Sequence, residues 1–218
     1  MSEVMKGIFA VMQTPLRENG ELDVKSLERQ TGFCIECGAH GLVFPVLGGE
    51  YQFLSEGERA QLVEVVVKTA GGQVPVVAGV AGPVKEVAVV CTEAAVKAGV
   101  DAVVALPPAG GRQEEVREYY EAIAKAAGRP VFLQHTSGGL SADFMRELFA
   151  EVEHIDYLKE EQQPSAHQIS AVINQVKEGC LGVFGGGHGR WMLSEMRRGA
   201  SGFMPAAEAI DVLVQIWD

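Results

Sequence analysis

No run of basic residues occurs in this 218-residue chain, where acids outnumber bases 29 to 18 and the formal charge is −11. That balance excludes the electrostatic footprint of a nucleic-acid binder. No apolar stretch approaches the length of a membrane span, and no long apolar run follows Met1–Lys6, so no signal peptide is expected. The expected compartment is the cytoplasm, with neither nucleic acid nor membrane as a partner. Cysteine is scarce, at four residues. Cys34 and Cys37 form a CxxC, but no second pair exists and no nearby histidine completes a zinc site. Both fall inside a helical pattern, which predicts ordinary helix residues. No dinucleotide fingerprint follows the first strand-like run, and Gly185–Gly189 lacks the Lys-Ser/Thr of a phosphate-binding loop. Neither a metal nor an organic cofactor is expected.

What is present suits one α/β domain spanning residues 1–218, since 47% of residues are hydrophobic and glycine is ample at 26. Strand-like runs are predicted at Gly7–Thr14, Gly41–Pro45, Val74–Val80, Asp101–Leu106, Pro130–Gln134, Ile155–Glu161, Leu181–Phe184 and Gly199–Met204. A helical pattern follows each. Ser55 with Glu58, and Ser165 with Gln168, read as capping boxes. Ser141 reads as an N-cap, and Gly38, Gly99 and Gly128 as helix ends. Strict alternation implies a parallel sheet. A count of eight selects the closed (β/α)8 TIM barrel over an open doubly wound sheet. The last helix has scarcely begun by Asp218, which predicts a longer polypeptide whose C-terminal helices are missing here.

In such a barrel the loops after the strands build the site. The sixth strand carries Lys159 near its C-terminal end, where an apolar run would otherwise be expected. Burial disfavours the ammonium form of a lysine, which frees an amine to attack carbonyl groups. A lysine at a strand edge that snorkels to solvent is the plainer reading. Side-chain alternation puts Tyr157, Lys159 and Glu161 on one side of the strand. Glu161 is therefore a candidate proton carrier or a salt-bridge partner. Gln134 and His135 alternate, so one of the two is expected to face the barrel centre. Leu47, Gly48, Gly49 and Glu50 follow the second strand, and their backbone N–H groups suit an anion such as a carboxylate. A simple tight turn accounts for them equally well. After the seventh strand, Gly186 and His188 lie on a loop that offers bare backbone to a ligand. His40, His154 and His167 fall in or beside helices and are expected at the surface.

Taken together, the motifs resemble the dihydrodipicolinate synthase / N-acetylneuraminate lyase family of Schiff-base barrels. The resemblance runs through Thr14-Pro15, Gly49-Glu50 with Leu54-Ser55 and Glu58-Arg59, Val77-Ala78-Gly79-Val80, Ala98-Gly99-Val100-Asp101-Ala102 and Lys159-Glu160. It covers nearly the whole chain, and its specificity lies in order and spacing. It implies that Lys159 forms an imine with pyruvate or another 2-oxo acid. It also implies that the loop at Gly48-Gly49 holds that acid's carboxylate. Leu47-Gly48 stand where the family usually has two threonines. Gln134 stands where the family's proton-relaying tyrosine is expected, and Gly138 or Gly139 where the synthases carry an arginine for the second substrate's carboxylate. Pro108-Ala109 replace a tyrosine pair. These departures argue against a true synthase, and Gln134 resembles the branch that dehydrates 2-keto-3-deoxy sugar acids.

The expected activity is thus that of a class I aldolase-like lyase, with Lys159, Gln134 and Glu161 as catalytic candidates. Leu47, Gly48, Gly49, Glu50, His135, Gly186 and His188 are the substrate-binding candidates. Dehydration of a 2-keto-3-deoxy sugar acid is the expected reaction. Aldol cleavage and synthase-type condensation with pyruvate are its rivals, and a barrel that binds 2-oxo acids without turnover is the rival of another class. The expected partners are a small 2-oxo acid and further copies of the chain, as a dimer or tetramer.

Overall fold

The computed structural model describes residues 4–136, 140–176 and 179–218. Eight parallel strands close into a barrel in chain order, β1 Gly7–Val11, β2 Gly41–Phe44, β3 Val76–Gly79, β4 Ala102–Ala105, β5 Val131–His135, β6 Ile155–Glu160, β7 Gly182–Gly185 and β8 Gly202–Phe203. The intervening helices are α1 Val24–Glu36, α2 Glu56–Ala70, α3 Lys85–Ala98, α4 Gln113–Ala127, α5 Ala142–Glu151, α6 Ser165–Gln175, α7 Met192–Met196 and α8 Ile210–Trp217. The (β/α)8 reading holds. Among the described residues no helix is long and apolar enough to cross a membrane.

Local chemistry explains most boundaries. The Ser55–Glu58 capping box forms as expected, so two otherwise orphaned N–H groups at the start of α2 are satisfied. Ser141 caps α5 through the N–H of Phe144. α3 and α4 end at Gly99 and Gly128, both left-handed, where an L side chain would be strained. The box expected at Ser165 and Gln168 does not form. Pro164 is the N-cap residue of α6 without a side-chain cap bond, and the Ser165 hydroxyl turns inward to donate to Glu195. Elements near the chain end are shorter than expected. β8 has two residues because Gly199, at φ 95°, belongs to the turn leaving α7. α7 spans only Met192–Met196, and a 3-10 turn over Ala207–Ala209 precedes α8.

Two buried layers follow from side-chain alternation. Phe9, Val43, Val77, Val104, Phe132, Tyr157 and Phe184 fill the lumen. The opposite strand faces, with Ile8, Leu42, Val103, Leu133 and Leu158, pack against the helices. Phe132 stacks on Tyr157 at 4.5 Å between ring centroids, and Phe184 meets both rings edge-on. These rings form an apolar floor. A bulge at Val131–Phe132 pairs Val131 with Ile155 but Phe132 with Tyr157, so Asp156 is the extra residue on β6. From there on the inward residues of β5 and β6 stay matched. Cys34 is buried in α1, where burial pushes its thiol up to about 12, in keeping with an inert helix residue. His40 departs from the expected surface position. Its ring is half-buried beneath β1, and its Nδ1 accepts the N–H of Ile8 at 3.2 Å.

Candidate active site

Lys159 points into the lumen one side-chain repeat above Tyr157, at the end of the barrel where the strands terminate. Its side chain is 4% exposed. Burial of this kind leaves an ammonium dependent on a partner, and Glu161 supplies it. The Nζ of Lys159 lies 3.1 Å from Glu161 Oε2. The same oxygen accepts a hydrogen bond from Gln134 Nε2 at 2.6 Å. Register explains the convergence, because Gln134 pairs with Lys159 across β5 and β6. The N–H of Glu161 also donates to the carbonyl of His135 at 2.8 Å, so the residue just past β6 remains tied to the sheet.

Just past the end of β7, Gly186 completes this cluster. A Cβ at Gly186 would overlap the carboxyl of Glu161, so only glycine lets that carboxyl sit where it does. The three catalytic candidates and Gly186 therefore meet in one place. His135 does not join them. It is turned to the outer face of the barrel, where its Nδ1 lies 2.9 Å from Glu160 Oε2, and its alternation with Gln134 is the cause. His188 is also apart, with a side chain 75% exposed and its Nδ1 3.6 Å from Glu208.

Leu47–Glu50 stands across the mouth, since β2 and β6 are four strands apart in the closed ring. Leu47–Gly49 is a short 3-10 turn, and the first N–H groups of such a turn have no partner inside it. Thr14 donates its hydroxyl to the carbonyl of Gly49, which fastens the turn over the end of β1. Glu50 is left-handed at φ 56° and exposed. Arg59 braces the loop from behind. Its guanidinium donates to the carbonyls of Gly79 and Ala81, both at 2.9 Å, and lies 5.1 Å from the ring centroid of Tyr51. Sequence reading gave Arg59 only as part of a motif. Its bracing role depends on a fold contact that spacing cannot show.

Beside Gln134 a cavity of about 180 Å³ opens between the loops after β4 and β5. Leu106, Pro107, Pro108, Thr136 and Leu140 line it together with Gln134 and His135. Apart from His135, none of the lining residues is titratable. Gly138 and Gly139, where the synthase arginine was expected to be missing, lie outside the described residues.

Residues 4–212 match the model of the dihydrodipicolinate synthetase family. An L-2-keto-3-deoxyarabonate dehydratase from Azospirillum brasilense is 26% identical, over 97% of this chain and 72% of its own. A 4-hydroxy-tetrahydrodipicolinate synthase from Desulfotalea psychrophila is 31% identical, over 84% of this chain and 63% of its own. The crystal structure of a dihydrodipicolinate synthase from Acinetobacter baumannii, complexed with pyruvate, superposes with a TM-score of 0.89. It shares 26% identity, with 99% of this chain and 75% of that one covered. The chain thus spans roughly two thirds to three quarters of the length of these proteins. With the family model matching almost end to end and the barrel superposing on a solved member, this chain belongs to the dihydrodipicolinate synthetase family, whose members are lyases.

Proposed function

We propose that the protein is a lyase that dehydrates a 2-keto-3-deoxy sugar acid through an imine on Lys159. The observation that carries this reading is the buried cluster in which Lys159 and Gln134 share one carboxylate oxygen of Glu161. The Lys159 amine adds to C2 of the 2-oxo acid, and loss of water from the carbinolamine leaves a protonated imine. The imine acidifies C3, and Glu161 takes a proton from it, giving an enamine. The enamine expels the C4 hydroxyl, which leaves as water with the proton returned by Glu161. A second water then hydrolyses the imine and frees Lys159. The protonated imine is the electron sink, so the cycle needs neither metal nor organic cofactor. Gln134 orients the Glu161 carboxylate, while the N–H groups of Leu47 and Gly48 face the substrate carboxylate from across the mouth. The cavity beside Gln134, with no Lys or Arg in its lining, suits a neutral hydroxylated chain better than a second carboxylate.

The relatives named as synthases favour a second reading, condensation of pyruvate with an aldehyde on the same imine. Against it, Gln134 has no ionisable hydroxyl to relay the proton. The deciding experiment offers 2-keto-3-deoxy sugar acids to the full-length protein and identifies products by mass spectrometry. Loss of one water per substrate is expected. Cleavage to pyruvate would make it an aldolase. An imine without turnover would make it a binding barrel.

A further inference from the structure

Behind the lysine lies a second buried polar group that the proposed chemistry does not use. Glu160 sits between Lys159 and Glu161 in sequence, and alternation turns its side chain to the outer face of the barrel, where it is fully buried. His135 is 3% exposed and faces it. The two Glu160 oxygens lie 2.9 Å and 3.1 Å from His135 Nδ1, and the N–H of Gln162 donates to Glu160 Oε1 at 2.8 Å. Register sets His135 beside Glu160, one step past the Gln134–Lys159 pair. The nearest groups packed here are a second carboxyl and a hydroxyl. Glu195 of α7 lies against Gly185, the β7 partner of Glu160, and Ser165 of α6 donates to Glu195. A carboxylate buried beside another carboxyl group depends heavily on its hydrogen-bond donors.

We propose that His135 and Glu160 are positioning residues, whose buried pair locks the ends of β5 and β6 so that Gln134, Lys159 and Glu161 converge in the lumen. Glu160 cannot touch substrate, because it is fully buried on the outer face, and the Nδ1 of His135 is held by Glu160. Their effect passes through the backbone. The peptide units on either side of Glu160 carry Lys159 and Glu161, and the next unit back from His135 carries Gln134. Any rotation at Glu160 moves the amine and its carboxylate apart. The inference rests on the reading of Lys159 as the imine-forming residue.

The test uses the full-length protein, with pyruvate plus borohydride and turnover of a 2-keto-3-deoxy acid as readouts. His135→Leu alone strands a buried carboxylate and can fail to fold. The double variant His135→Leu/Glu160→Met removes both partners and leaves no orphaned charge, only the Gln162 N–H without its acceptor, and a cooperative thermal melt confirms its fold before kinetics are read. Its kcat should fall by about tenfold or more, with KM little changed, because misplaced catalytic groups lose rate before they lose binding. His135→Asn, whose amide can donate where Nδ1 did, should restore kcat to near the wild-type value. A double variant with wild-type kcat, a loss confined to KM, or a His135→Asn enzyme no better than the double variant overturns the positioning role. A wild-type protein that forms no borohydride-fixed adduct overturns the imine reading itself, and the two failures are distinct.

Discussion

Gln134 and Lys159 stand side by side in the β5–β6 register, and both reach the same oxygen of Glu161. Two donors on one oxygen fix the carboxylate in place while leaving the second oxygen less engaged. A carboxylate held this way is aimed and not merely present, which is what proton transfer at a fixed carbon requires. The arrangement also separates the tasks of neighbouring residues. Along β6 the inward positions carry the candidate chemistry, and the outward Glu160 holds the backbone.

The first prediction concerns the amine. Incubation with pyruvate and borohydride should fix a single adduct, and peptide mapping should place it on Lys159. Lys159→Ala should abolish adduct and turnover. Lys159→Arg should keep the charge beside Glu161 and be equally inactive, since a guanidinium is not a nucleophile near neutral pH. An adduct on Lys97, Lys125 or another helix lysine would refute the assignment.

The barrel and its lysine were legible in the sequence because their signals are local. Ser55–Glu58, Gly99 and Gly128 act within one helical turn, and alternation along Tyr157, Lys159 and Glu161 needs only the strand period. What escaped was decided by partners far away in the chain. Ser165 reads as half of a capping box, yet its hydroxyl is drawn to Glu195, 30 residues on. His135 reads as a site residue as readily as Gln134, and which of them joins Glu161 follows from the phase of alternation along β5, set by the lumen-facing Phe132. His188 reads as a ligand contact because it sits among glycines, but its φ of 57° turns it to solvent.

Gly186 offers a sharper probe than the carboxylate itself. Gly186→Ala adds one methyl group, and that group must displace the Glu161 carboxyl. The lysine, the glutamine and the glutamate all remain. The expected result is a drop in kcat of up to about 100-fold, as a shift near 1 Å can produce, with pyruvate adduct formation largely kept. Wild-type kcat in Gly186→Ala would show that the position of Glu161 is immaterial.

Condensation of pyruvate with aspartate semialdehyde should be negligible in a coupled assay. Gln134 cannot relay a proton as a phenol can, and the sequence Gly138-Gly139 supplies no cation for a second carboxylate. Gln134→Tyr alone should not create the activity, because the cation is still missing. Efficient turnover of that pair by the wild type would instead favour the condensation reading.

The last prediction concerns Glu195, which is 1% exposed on α7. Burial pushes its carboxyl above the ordinary value of 4.5, and the charge of Glu160 adds to this, while the Ser165 hydroxyl and Arg198 oppose it. A carboxyl whose proton affinity is higher in the folded than in the unfolded chain holds more protons when folded. Stability from this group is therefore complete below about pH 4.5, the unfolded value, and is lost as pH rises through the folded value. The loss grows by about 1.4 kcal/mol for each tenfold difference in proton affinity between the two states. Glu195→Gln mimics the protonated form and can still accept from Ser165, so it carries no such loss. Denaturant melts of both proteins across pH 4 to 8 should give curves that lie close at the acid end. They should separate as pH rises, with Glu195→Gln the more stable at neutral pH. A variant less stable than wild type at neutral pH, or a gap that closes with rising pH, would show that the ionised carboxylate is the form this site favours.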